Sequence, residues 1–132
     1  MNRIRIKAGK RVYEIIKDGG FDFNCVSTYY GAAVGPRWLI ASGFDLTLLK
    51  GEFLGRSRAV NLVGSSAGAW RFAAWLQPEA SLCYQKLLDA YINTRYSRND
   101  NPSTVLEKFT GLINEYLEDD ALPFALANKN TV

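Results

Sequence analysis

The chain has 132 residues, enough for one domain and too few for two of ordinary size. Hydrophobic residues make up 48% and charged residues 22%, a globular balance that excludes a disordered chain, a collagen-like repeat and a pure coiled coil. Sixteen Lys and Arg against thirteen Asp and Glu leave a net charge of +3, too small to demand a polyanionic partner, and histidine is absent altogether.

The missing histidine removes every Ser-His-Asp and Cys-His triad, every His-ligated metal or haem site and any imidazole acid or base. Cys25 and Cys83 stand far apart in no metal-ligand spacing and read as two reduced, buried thiols, so no metal and no cofactor is expected. No 18-residue apolar span occurs. The N-terminus alternates charge with isoleucine where a secretory signal needs a continuous apolar core, which places the protein in the cytoplasm.

In chain order, Arg3 to Lys7 reads as an edge strand with Ile4 and Ile6 on one face. Five of the positive charges, Arg3, Arg5, Lys7, Lys10 and Arg11, cluster here, where they could meet phosphate head groups or nucleic acid, or, on the plainer reading, protect the edge from pairing with other chains. No motif supports nucleic-acid binding. Lys10 to Asp18 carries Val12, Ile15 and Ile16 at helical spacing, and Gly19-Gly20 supplies its stop. Cys25 to Tyr30 is a second strand, rich in β-branched and aromatic residues, and runs straight into the small-residue loop Gly31-Ala32-Ala33-Val34-Gly35. Pro36 then opens a helix through Trp38, Leu39, Leu46 and Leu49 to Gly51.

The third strand, Ala59 to Val63, leads at once into Gly64-Ser65-Ser66-Ala67-Gly68 and a helix, Ala69 to Leu76, that is apolar nearly all round and so is expected to be buried on most sides. Pro78 restarts a helix with an apolar face of Ala80, Cys83, Leu87, Tyr91 and Ile92. Asn99 to Pro102 is a turn, Thr104 to Glu107 has the form of a capping box, and the last helix carries its stripe from Val105 to Leu117. Trp38, Trp70 and Trp75 read as core.

Strand and helix in alternation predict an α/β fold of three layers, a short parallel sheet flanked by helices. Three short strands make a thin sheet, and a parallel sheet needs both faces covered. Residues 1–132 are therefore expected to form a single α/β domain that is the front part of something larger, or one that completes its core with a second copy.

Gly64-Ser65-Ser66-Ala67-Gly68 fits Gly-x-Ser-x-Gly, the nucleophile elbow, in which the serine occupies a strained bend between strand and helix. Ser66 is the candidate nucleophile. One oxyanion donor comes from the amide of Ala67, beside the helix N-terminus that favours developing negative charge. The others could come from the Gly31 to Gly35 loop, through Gly31, Ala32, Ala33 and Gly35, which otherwise reads as an ordinary strand-to-helix turn; both loops are expected to open on the same edge of the sheet.

Together the two loops resemble the patatin-like phospholipase family, in which an oxyanion loop with a nearby basic residue precedes Gly-x-Ser-x-Gly and the base is an aspartate rather than a histidine. The resemblance runs from about Val26 to Leu76 and implies the N-terminal portion of a patatin-like domain, a serine acyl hydrolase acting on a lipid or other carboxylic ester, and peripheral contact with a membrane. Arg37, the basic residue beside the loop, is then a substrate-binding candidate. Apart from the resemblance, Arg37 and Arg71 both fall near the two loops, where either could hold an anionic head group or a fatty carboxylate, or be an exposed arginine with no role. The family's Asp-Gly pattern is missing downstream, where only Asp89, Asp100, Asp119 and Asp120 occur, so the chain is expected to be inactive unless its base comes from elsewhere. A non-catalytic α/β module that self-associates as a homodimer or binds a partner is the alternative, and a small-anion binder at the helix N-terminus beside Gly68 a third.

Overall fold

A computed structural model describes residues 7–20, 22–51 and 59–128. The described chain is mixed α/β: six helices and two strands, joined through short 3-10 turns. Strands β1 (Thr28–Gly31) and β2 (Asn61–Gly64) pair in parallel, with Tyr29 opposite Leu62 and Gly31 opposite Gly64. Helices flank this short sheet, as the alternation of elements predicts. The expected first strand lies almost wholly on residues outside the description.

Helix α3 (Ala67–Trp75) is the structural centre. It packs on both strands and on α4 (Ala80–Asn93), which in turn packs on α5 (Pro102–Tyr116) and α2 (Ser42–Lys50). Phe72 and Trp75, both buried, meet edge to face at 5.3 Å, and Trp75 meets Tyr29 of β1 at 6.2 Å. Trp38 packs edge-on against Tyr84 and Tyr91 of α4. Full burial of an apolar side chain contributes about 1.5–3 kcal/mol, so these rings and Leu62, Leu87 and Leu112 carry most of the drive to fold. All three tryptophans belong to the core or pack against it.

Several boundaries differ from the sequence expectation for local reasons. The strand expected from Cys25 begins only at Thr28, because the Asp22 carboxylate accepts from the Asn24 amide at 2.8 Å and winds Phe23–Cys25 into a 3-10 turn. The helix expected from Pro36 opens as a 3-10 segment, Gly35–Ala41, before α2 begins at Ser42. The capping box sits three residues earlier than expected: Asn101 Oδ1 accepts from the Ser103 and Thr104 amides while Thr104 Oγ1 accepts from the Asn101 amide, and Pro102 occupies the first turn, where no N–H is missed. On α4, Ile92 points outward and Tyr84, Leu88 and Ala90 join the buried face. A sixth helix, α6 (Ala121–Ala127), follows the last one expected.

Helix α1 (Lys10–Gly19) forms as expected and ends on Gly20 at φ 78°, but it buries none of its residues. The outer face of the sheet is open as well. Tyr30 and Val63, opposite one another in register, are 79% and 49% exposed, so the described elements cover the sheet chiefly on the α3 side.

Candidate active site

The two small-residue loops leave the sheet side by side at the carboxyl ends of β1 and β2. The Ser65 amide donates to the Gly31 carbonyl at 3.0 Å, which ties the second loop to the first. The glycines at the junction are there for contact. A Cβ on Gly31 would stand 2.8 Å from Cα of Gly68, one on Gly64 would stand 2.6 Å from the Ala69 nitrogen, and one on Gly68 would drive into the Gly31 carbonyl. Both glycines of Gly-x-Ser-x-Gly are thus fixed by the approach of β1, β2 and α3, and Gly31 completes the contact from the other loop.

Between them, Ser66 adopts φ 52° and ψ −124°, the only positive φ at a non-glycine residue among those described. Such a conformation costs on the order of 1–3 kcal/mol and persists only where the surroundings enforce it. Here they do: the Gly68 amide closes onto the Ser65 carbonyl at 3.0 Å and the Trp70 amide onto the Ser66 carbonyl at 3.1 Å, so helix α3 begins directly at the bend. Ser66 is exposed. Among the described residues none hydrogen-bonds its hydroxyl.

Donors for an anion are nearby. Ala67 is the first residue of α3, and its amide has no backbone partner among the described residues. In the neighbouring loop the amides of Ala32, Ala33 and Val34 likewise donate no backbone hydrogen bond, and Gly35 takes φ 53° to swing the chain into the 3-10 segment. Arg37 is exposed, three residues beyond Val34, whose carbonyl its amide engages at 3.3 Å. Ser66, Ala67 and the Gly31–Gly35 loop, with Arg37 after it, are therefore gathered at one edge of the sheet.

Arg71 is placed otherwise. Its guanidinium forms a two-pronged pair with Asp45 of α2, Nε to Oδ2 at 2.6 Å and Nη2 to Oδ1 at 2.7 Å, and Tyr84 of α4 donates its hydroxyl to the same carboxylate. Asp45 is wholly buried, at 0% exposure. Arg71 is thus a structural clamp joining α3 to α2, and the reading of an exposed arginine with no role is corrected. Burial, and then donation to Asp45, pushes the Tyr84 phenol far above its ordinary range, so it stays a neutral donor at any physiological pH. Nothing in the sequence pointed to Asp45.

None of the four downstream aspartates hydrogen-bonds Ser66 among the described residues. Asp89 accepts from Gln85, and Asp100 is held by Lys108 at 2.6 Å and by the Ser97 amide, contacts that keep its carboxyl below the usual carboxylate range. Asp119 and Asp120 are exposed at the turn into α6. Cys83 is buried, but Cys25 is exposed at the end of its 3-10 turn, a correction to the expectation of two buried thiols; neither is in a disulfide. Among the described residues no group of three or more His, Cys, Asp or Glu is placed to hold a metal ion, and no helix is long and apolar enough to cross a membrane. No protein-family model, curated protein or solved structure matches the chain.

Proposed function

We propose that the protein is a patatin-like serine acyl hydrolase, in which Ser66 attacks the carbonyl of a lipid or other carboxylic ester. The observation that carries this is the strained backbone of Ser66, held by glycine contacts on both sides and turned to solvent at the start of a helix. A non-glycine residue at positive φ is uncommon and carries backbone strain, which a bend that only connects strand to helix has little reason to keep. The attacking Oγ forms a bond to the carbonyl carbon as its O–H proton passes to a carboxylate base supplied from elsewhere, and the carbonyl oxygen takes up the negative charge. The free amides of Ala67, Ala32 and Ala33 are the donors for that oxyanion, and the α3 N-terminus adds its dipole. The alkoxide then leaves with a proton and water resolves the acyl-enzyme. Arg37 stands where an anionic head group approaches the loop, and exposed Tyr30 and Ile40 on either side of it suit peripheral contact with a lipid surface. Two cysteines outside any disulfide fit a reducing cytoplasm.

Ser66→Ala is expected to lower hydrolysis of p-nitrophenyl butyrate by on the order of 10³-fold or more, the scale seen when one member of a catalytic unit is removed. Ser65→Ala, which keeps the bend and its amide, is expected to stay within about threefold of the parent. Equal loss in both variants would contradict a nucleophilic Ser66.

The open sheet face favours a second reading, a non-catalytic module that covers Tyr30 and Val63 by pairing with its own copy. Sedimentation velocity separates the two: a dimer without ester hydrolysis supports the module.

A further inference from the structure

Helix α1 is amphipathic, yet it buries none of its residues: Val12, Tyr13 and Ile15 are 45%, 51% and 50% exposed. At 3.6 residues per turn its ten positions separate without overlap. Ile15, Gly19, Val12, Ile16 and Tyr13 follow one another around an arc of about 160°, and Lys17, Lys10, Glu14, Asp18 and Arg11 fill the rest of the circle. The polar side is itself sorted. Arg11 borders the apolar arc beside Ile15 and Lys17 borders it beside Tyr13, with Glu14 and Asp18 between them. Charge is also unevenly spread along the chain. Residues 1–17 hold six of the sixteen Lys and Arg but one of the thirteen Asp and Glu, a net +5, and the ten cations and twelve anions that follow sum to −2.

We infer that α1 is an interfacial helix whose partner is the surface of a bilayer containing anionic lipid. The apolar arc enters the boundary between head groups and acyl chains, and Lys10, Arg11 and Lys17 meet the lipid phosphates. This gives the lipid contact proposed above a named element and a lipid class, and it does not depend on a nucleophilic Ser66.

Three observations select this partner. A bilayer surface is a flat boundary with hydrocarbon below and phosphate at its level, so it favours cations at both edges of an apolar face, where their long stems reach back from the hydrocarbon to the head groups. Arg11 and Lys17 hold those two edges. The arc itself contains one polar atom, the Tyr13 hydroxyl, and it lies at the Lys17 edge, the depth at which an aromatic ring with a polar tip settles. Finally, Glu14 lies across the helix from Val12 and Ile16, so with the arc immersed its carboxylate faces water and not the anionic surface. A nucleic acid would use the cations and leave Val12, Ile15 and Ile16 in water.

The test is flotation of the full chain with vesicles of phosphatidylcholine alone or with about a third phosphatidylserine. The parent is expected to bind the anionic vesicles at least tenfold more tightly than the neutral ones and to release them at about 0.5 M sodium chloride. Ile15→Glu and Lys17→Glu are each expected to weaken that binding at least fivefold. Because α1 buries nothing, neither substitution disturbs the core. Arg98→Glu, an equal charge change at an exposed turn, is expected to stay within about twofold of the parent. No binding to the anionic vesicles, or binding that Ile15→Glu and Lys17→Glu retain, overturns the assignment. So does a parent that binds polyuridylate more tightly than vesicles, or one that forms a lipid-free dimer which Ile15→Glu dissociates; the first assigns the helix to nucleic acid and the second to another copy of the chain.

Discussion

Gly68→Ala is expected to lower the melting temperature by about 10 °C or more and to abolish any ester hydrolysis, although it adds a single methyl group to a helix. Helix propensity alone would favour alanine by about 1 kcal/mol in that position. The contact outweighs it. The added Cβ would occupy the space of the Gly31 carbonyl, and Gly31 is held in β1 by its pairing with Gly64 and by the Ser65 amide. Backbone on both sides cannot swing away as a side chain would, so the cost reaches the upper end of overpacking penalties, about 3 kcal/mol or more. The movement that relieves it separates β1 from α3 and takes the Ala32 and Ala33 amides away from Ser66. Gly111→Ala, on α5 with nothing within 4 Å of its Cβ position, is the control and is expected to be neutral or slightly stabilising. Differential scanning calorimetry of the two variants decides the point; equal melting temperatures would mean that the two loops do not touch.

Asp45→Ala is expected to be as damaging for an electrostatic reason. Removing one partner of a buried ion pair strands the other, at a cost of about 3–5 kcal/mol. Arg71 would be left with a guanidinium against the core and no carboxylate, and the Tyr84 hydroxyl without its acceptor. The triple change Asp45→Leu, Arg71→Met, Tyr84→Phe removes all three polar groups together and is expected to recover most of the loss, because no buried charge remains. Urea denaturation measures both. The same phenol sets an alkaline limit. Tyr84 and Tyr116 both titrate above their ordinary range, chiefly through burial. Their stabilising contribution is complete below the unfolded-state pKa of about 10 and is lost above it, as the unfolded chain releases protons that the folded chain keeps. Stability is therefore expected to fall with rising pH above about 10, by about 1.4 kcal/mol per unit for each tyrosine.

The elbow was legible in the sequence because its requirements are local. Two glycines, a serine and a flanking strand and helix lie within about fifteen consecutive residues, and the steric needs of the bend dictate the residue types. The adjacency of the two loops followed from topology, since parallel neighbouring strands bring their carboxyl ends to one edge. The clamp was not legible. Asp45 sits 26 residues from Arg71 and 39 from Tyr84, and nothing in a run such as Gly43-Phe44-Asp45-Leu46 marks its carboxylate as buried. Helix α6 is not legible in the sequence, where Pro123 falls inside it. Proline is tolerated there, at the third position of the helix, where the N–H has no carbonyl four residues back to bond within the helix. The shift of the capping box has the same character: Thr104 was recognised as a capping residue, but Asn101, ahead of Pro102, makes the better first cap, and Thr104 answers it from the third position.

The central claim is that the bend presents Ser66 as a reactive hydroxyl beside unengaged amides. Its most direct measurement is phosphonylation of the folded protein by an alkyl fluorophosphonate, with intact mass and peptide mapping as the readout. A single adduct on Ser66, absent after thermal unfolding and absent in Ser66→Ala, is the expected result. A folded protein that takes up no phosphonate, or takes it up on Ser65 at the same rate as on Ser66, would contradict the assignment.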